Sequence, residues 1–196
     1  MEFQEFPKMA RLTRECIITE KIDGTNAQIA INDTGQMFVG SRTRWLSAEA
    51  DNFGFFKWAM EHRDELLQLG PGRHFGEWWG GKIQRGYGLT EKRFSLFNTI
   101  RWVAHDVEPQ PITSADPRIV KMQERVPACC HVVPVLYRGL FSPIHADNMI
   151  AKLRAEGSMA APGYMNPEGI VVYHVAANVG FKKTLEKDDQ PKSRVA

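Results

Sequence analysis

The segment Glu20-Lys21-Ile22-Asp23-Gly24-Thr25-Asn26 ends an apolar stretch with a lysine, followed by an acid two residues on and a glycine that permits a tight turn. A lysine so placed can simply point into water from a hairpin. It can also act as a nucleophile if burial or a neighbouring cation favours its neutral form, because a free amine has a pKa of about 10.4. Three later segments offer partners for such a group. Phe75-Gly76-Glu77-Trp78 sets an acid inside an apolar strand pattern, where an acid ordinarily faces solvent. Pro167-Glu168-Gly169-Ile170-Val171-Val172-Tyr173 sets another at the mouth of a strand, and Phe181-Lys182-Lys183-Thr184 puts two lysines in the last strand pattern. Each arrangement is common alone; their order along the chain singles them out.

Other motifs carry less. Arg42 and Arg44 flank a threonine, and Lys82, Arg85, Lys92 and Arg93 share a short stretch with Tyr87 and Phe94. Such a run is usually a solvated loop, and its alternative use is phosphate binding. Gly76-Glu77-Trp78-Trp79-Gly80-Gly81-Lys82 fits the start of a P-loop, but Ile83 stands where Ser or Thr is needed and two tryptophans crowd the loop. Cys129-Cys130-His131 lacks the C-x-x-C spacing of a zinc site and reads as buried thiols, and the six histidines show no metal spacing.

Strand patterns position these residues. Residues 15–20 and 26–31 read as strands, residues 32–35 as a turn, and 36–41 as the returning arm of a hairpin. Ser47 is the expected cap of a helix whose apolar side is Phe53, Phe56, Trp58, Met60, Leu66 and Leu67, stopped at Gly70-Pro71. Strands are expected at 74–79 and 94–103 with a glycine-rich link between them. A proline-punctuated connection at 109–117, a short helix at 117–125 and a strand at 132–137 follow. A helix at 144–155 ends at Gly157, strands follow at 169–175 and 179–185, and a frayed charged tail occupies 186–194. Irregular helices among many strands make this an α+β fold with largely antiparallel sheets.

The chain has 196 residues and a net charge of +2, so composition alone does not announce a nucleic-acid binder. Three cysteines argue against a disulfide framework. Without a leader or an apolar span, a cytoplasmic location and no membrane partner are expected.

Lys-x-Asp-Gly-x-Asn at 21–26, Ser41-Arg42, Gly76-Glu77, the aromatic segment Phe94-Ser95-Leu96-Phe97, Glu168-Gly169-x-Val and the final lysine pair resemble the ordered motifs of the covalent nucleotidyltransferases. These comprise DNA ligases, RNA ligases and mRNA capping enzymes. Asn26 resembles the nick-sealing type 2 RNA ligases, and the stretch from Val132-Val133-Pro134 through Gly169 resembles small RNA ligase-family proteins of bacteria and their viruses. The resemblance implies that Lys21 attacks the α-phosphate of ATP and carries AMP, while Glu20 contacts the adenine edge. Asp23 and Asn26 would lie near ribose and phosphate, with Arg42 beside the phosphate or the ribose hydroxyls. Glu77 would bind ribose or a metal, Phe97 would stack on the purine, and Glu168 would hold Mg²⁺ or Mn²⁺. Lys182 and Lys183 would ride on the triphosphate and ease deprotonation of Lys21.

The departures are the adjacent lysines in place of Lys-x-Lys, Asn98 where an acid is usual, and Tyr173 where a basic residue is common. The length leaves no room for an OB-fold or other C-terminal domain, so residues 1–196 are expected to form one adenylyltransferase domain. The expected architecture is the ATP-grasp-like DNA/RNA ligase nucleotidyltransferase domain: two packed antiparallel sheets with flanking helices and AMP in the groove between them. The expected activity is ATP-dependent joining of 3′-OH and 5′-phosphate ends of RNA, in a nicked duplex or an RNA/DNA hybrid. Arg44, Lys82, Arg85, Lys92 and Arg93 are its candidate nucleic-acid contacts. The alternatives are a DNA nick ligase, which Asn26 disfavours, and a nucleic-acid-binding protein that has lost catalysis.

Overall fold

The computed structural model describes residues 1–113, 120–186 and 188. Its first strands are β1 (Glu15–Lys21), β2 (Thr25–Ile31) and β3 (Met37–Ser41), followed by helices α1 (Phe55–Glu61) and α2 (Arg63–Leu66). Next come β4 (Gly72–Gly80), β5 (Lys92–Leu96), β6 (Trp102–Val103), β7 (Pro111–Thr113), β8 (Val120–Met122) and β9 (Glu124–Arg125). The rest is β10 (Cys130–Val132), β11 (Val135–Leu140), α3 (Pro143–Glu156), β12 (Gly169–His174) and β13 (Val179–Thr184). The fold is α+β and mostly sheet, as the strand patterns indicate.

The chain divides into two compact units, one of residues 1–21 with 134–196 and one of residues 22–133. The first unit is an antiparallel sheet in the order β11-β1-β12-β13. Strand alternation sends Cys16 and Ile18 of β1 to one face, where they meet Ile170, Val172 and the apolar side of α3: Ala146, Ile150 and Leu153. Pro143 opens α3 and Gly157, at φ 80°, closes it.

The second unit is a five-stranded sheet in the order β10-β5-β4-β2-β3, antiparallel except for β10 beside β5. Ala27, Ile29, Trp78, Phe94 and Leu96 pack from one face onto Phe55, Ala59, Leu66 and Leu69 of the α1–α2 segment. Two-stranded pairs β6–β9 and β7–β8 complete its described part.

Five features differ from expectation. Ser47 caps no helix: its hydroxyl donates to Glu49, and the Asp51 carboxylate instead accepts from the Phe56 and Lys57 amides. The helix itself is two, meeting at His62, and the supposed core residues Phe53 and Met60 are exposed while Phe55 and Ala59 are buried. The strand expected at 94–103 is cut where the Asn98 side chain accepts from the Arg101 amide, separating β5 from β6. The strand expected at 132–137 breaks at Pro134, which has no amide to give to a ladder, so β10 and β11 belong to different sheets. Residues 120–125, expected as helix, are strands β8 and β9, and the start of that expected helix lies outside the described residues, as does most of the charged tail.

Candidate active site

In the first unit, β1 carries Glu20 and Lys21 to opposite faces of the sheet. Lys21 is the last residue of the strand, in register with Gly169 of β12. That pairing sets it beside Glu168, and Lys21 Nζ donates to Glu168 Oε2 at 2.6 Å. The lysine side chain is 22% exposed and the glutamate 6%, so the ion pair is shielded but open to solvent at the lysine. Gly169 is required here by space: a Cβ would lie 2.2 Å from the Lys183 carbonyl oxygen of β13.

Glu20 points to the α3 side and is 1% exposed. Its carboxylate accepts from Ser158 Oγ at 2.6 Å and from the amides of Met159 and Ala160 at 2.8 and 2.9 Å. Burial pushes its pKa up, against the pull of those three donors. The side chain expected at the adenine edge is thus bound to the turn that follows α3.

The final lysine pair is divided by the pleat. Lys183 is in register with Ile170, itself opposite Glu20, so the three share the α3 face, and Lys183 Nζ donates to Asp147 Oδ1 of α3 at 2.6 Å. Lys182 is in register with Val171, opposite Thr19, which puts it on the face that carries Lys21. One lysine, not two, is therefore placed with Lys21.

In the second unit, Glu77 of β4 lies directly opposite Asn26 of β2 and is 8% exposed. Its Oε2 accepts from Asn26 Nδ2 and its Oε1 from the Gly24 amide, both at 3.1 Å. Gly24 is fixed by close approach, since a Cβ there would lie 2.4 Å from the Trp78 carbonyl oxygen. The Asp23 amide donates to Tyr87 Oη at 2.9 Å and the Asp23 carboxylate accepts from Arg85 Nε at 3.2 Å. The Phe97 amide donates to the Phe75 carbonyl, extending the β4–β5 ladder, so alternation places exposed Phe97 on the face of Asn26 and Glu77. Arg42 is exposed just after the last β2–β3 pair, Ala27 with Ser41.

Most of the basic residues expected at nucleic acid are held by their own unit. Arg44 donates to the Ala50 and Asp51 carbonyls, Lys92 to the Phe53 carbonyl at 2.6 Å, and Arg93 to Glu91. Arg85 is paired with Asp23. Lys82 is exposed.

Sequence reading noted Tyr87 only as an aromatic in the basic stretch, without its bond to Asp23, and missed Ser158 and Asp147. Tyr87 had a local signal: it is a tyrosine between two glycines and adopts φ 53°, a conformation bulky residues rarely take. Ser158 and Asp147 had none, because their partners are remote in the chain.

This mostly-sheet α+β chain has the fold of an RNA ligase. Among solved structures it is similar to the Naegleria gruberi RNA ligase. An apo variant of that protein gives 21% identity and a TM-score of 0.58 over 90% of this chain and 52% of that one. A variant with ATP and Mn gives 19% and 0.58 over 91% and 52%, and the ligase with PPi gives 19% and 0.56 over 88% and 50%. At such identity the likeness is one of fold, and the chain spans about half the length of those structures. The sequence itself goes further: residues 14–187 match the RNA ligase family model, and the chain belongs to that family. No curated protein sequence matches it. Among the described residues no helix is long and apolar enough to cross a membrane.

Proposed function

We propose that the chain is the catalytic domain of an ATP-dependent RNA ligase, and that Lys21 is its nucleophile. The observation that carries this reading is the Lys21–Glu168 pair at 2.6 Å, with Lys182 on the same sheet face. The resting ammonium must lose a proton before it can attack, and the Glu168 carboxylate is the adjacent acceptor. The amine then forms a bond to the α-phosphorus of ATP, and the α–β bridging oxygen leaves with pyrophosphate, its charge met by Lys182. The 5′-phosphate of the RNA next displaces Lys21 from AMP. Finally the 3′-hydroxyl attacks that phosphate, and AMP departs.

Asp23, Asn26, Arg42 and Glu77 are assigned to ribose and phosphate, and Phe97 to the purine, where aromatic stacking contributes about 1 kcal/mol. Glu20 is assigned to the adenine edge, with residues 158–160 held against its carboxylate. Glu168, an oxygen donor 5% exposed, fits a hard divalent cation such as Mg²⁺ or Mn²⁺. When bound, that cation would neutralise charge on the transferring phosphoryl group.

Incubation with radiolabelled ATP and a divalent cation should leave a label on the protein that survives denaturation. Lys21→Ala should abolish it with the fold intact, and so should Lys21→Arg, whose guanidinium stays protonated. Label persisting in either variant would sink the assignment. Nicked and single-stranded RNA and DNA substrates, compared side by side, would then test the preference for RNA.

A further inference from the structure

His62, Glu65 and Cys129 take no part in the reaction above, yet the second unit gathers them from two distant stretches of chain. His62 joins α1 to α2, Glu65 lies one turn further along, and Cys129 immediately precedes β10. A histidine nitrogen, a carboxylate oxygen and the Cys129 sulfur all lie within 4.8 Å of one another. His62 Nδ1 is 2.9 Å from Glu65 Oε1. We propose that these three side chains bind a divalent cation of the zinc class, with water at the fourth position.

The ligand chemistry favours such an ion over magnesium or calcium, which take oxygen donors, because imidazole, thiolate and carboxylate together form a zinc set. The spacing is close to what is needed. Zinc–ligand bonds of about 2.0–2.3 Å in a tetrahedron put neighbouring donors roughly 3.3–3.8 Å apart, so the widest gap must close by about 1 Å. Rotation of partly exposed side chains supplies that, and their exposure gives the ion a way in: the His62 and Glu65 side chains are 36% and 39% exposed. The back of the site is packed, with the Trp58 ring 5.1 Å from the imidazole and Cys130 Sγ 3.9 Å from Cys129 Sγ. On binding, the sulfur–metal bond replaces the S–H bond and that proton is released to solvent, while His62 ligates through an imidazole lone pair with its N–H on the other ring nitrogen. The ion would tie the α1–α2 segment to the start of the edge strand β10. Without it, His62 and Glu65 are an ordinary one-turn helical pair, and that is the reading the experiment must exclude.

Chelator-treated full-length protein titrated with cobalt(II) should develop thiolate-to-cobalt charge-transfer absorption. Zinc should compete it away and should raise the melting temperature. His62→Ala and Cys129→Ser should each bind cobalt more than ~100-fold more weakly, beyond the loss typical of outer-shell changes, and lose the thermal shift. Cys16→Ser, which alters a buried thiol in the other unit, should melt lower at the outset but keep the parent's cobalt affinity and its zinc-induced rise in melting temperature. If Cys129→Ser fails to fold, His62→Ala reports the same quantity from a part-exposed position. Absence of the absorption band from the parent protein, or a band undiminished in either variant, overturns the site. Neither readout depends on ligase activity.

Discussion

Glu20 shows how a residue singled out by its place beside a lysine is held by groups far along the chain. It precedes the proposed nucleophile, yet its carboxylate is 1% exposed and bound by Ser158, Met159 and Ala160. Because burial raises its pKa above 4.5, the folded protein takes up this proton more readily than the unfolded chain. Its contribution to stability is therefore full in acid, and it is lost as pH rises from the unfolded value through the folded one. Glu20→Gln keeps an oxygen for the two amides and cannot ionise, so its stability relative to the parent should climb from acid to neutral pH. Glu20→Ala removes the acceptor from one buried and two part-buried donors and should cost about 1–3 kcal/mol in acid, a cost that shrinks toward neutral pH as the parent loses its own contribution. Urea unfolding across that pH range measures both, and a Gln variant that parallels the parent at every pH would refute the argument. The carboxylate was legible as special in the sequence. Its partner was not, since Ser158 lies 138 residues away and hydroxyl–carboxylate pairs leave no periodic mark.

At the scale of elements, period-two alternation was the most legible signal and decides the most chemistry. Strands β1, β2, β3, β12 and β13 stand within a residue or two of where hydrophobic alternation and turn residues place them. The same alternation separates Lys182 from Lys183. Lys182→Ala should slow formation of the lysine–AMP adduct, with the defect showing when labelling is followed over time. Lys183→Ala removes only a part-exposed ion pair to Asp147, worth about 0–1 kcal/mol, and should leave labelling near that of the parent. Equal defects in the two would mean that β13 does not keep this register in action. What alternation could not reveal was where elements stop. Residues 94–103 and 132–137 read as single strands because apolar content continues across both, whereas an asparagine side chain and a proline end them by hydrogen bonding alone.

For the whole molecule, most of the basic stretch is engaged in hydrogen bonds within the second unit. Arg44, Arg85, Lys92 and Arg93 brace loops and a carboxylate of the second unit; Arg44, Lys82 and Lys92 are the exposed ones among the five candidates for contact with RNA, and Lys82 is the one that can be replaced without disturbing those braces. With few phosphate contacts, binding should be weak and salt-sensitive, each contact contributing roughly −0.9 to the slope of log K against log salt on a duplex. Strand joining should therefore fall steeply with added salt while self-adenylation holds. Lys82→Ala should flatten the binding slope by about one contact, and an unchanged slope would place the RNA elsewhere. Replacing Arg85, Lys92 and Arg93 as well would confound that measurement by loosening the loops they hold.

The division of the chain has a consequence in time. Residues 22–133 form one continuous stretch, whereas the other unit draws on both sides of it, with β1 hydrogen-bonded between β11 and β12. During synthesis the middle stretch can complete its sheet as soon as it emerges. β1 cannot, because its first partner begins at Val135. At about 5–20 residues per second the ribosome leaves that strand waiting roughly 6–25 s. Through that interval Cys16, Ile17 and Ile18 sit on an unpaired edge, the kind of surface that recruits another nascent chain. The residues that carry Lys21 to its place are thus made well before the strands that secure them, and the yield of active protein depends on how well they are shielded until then.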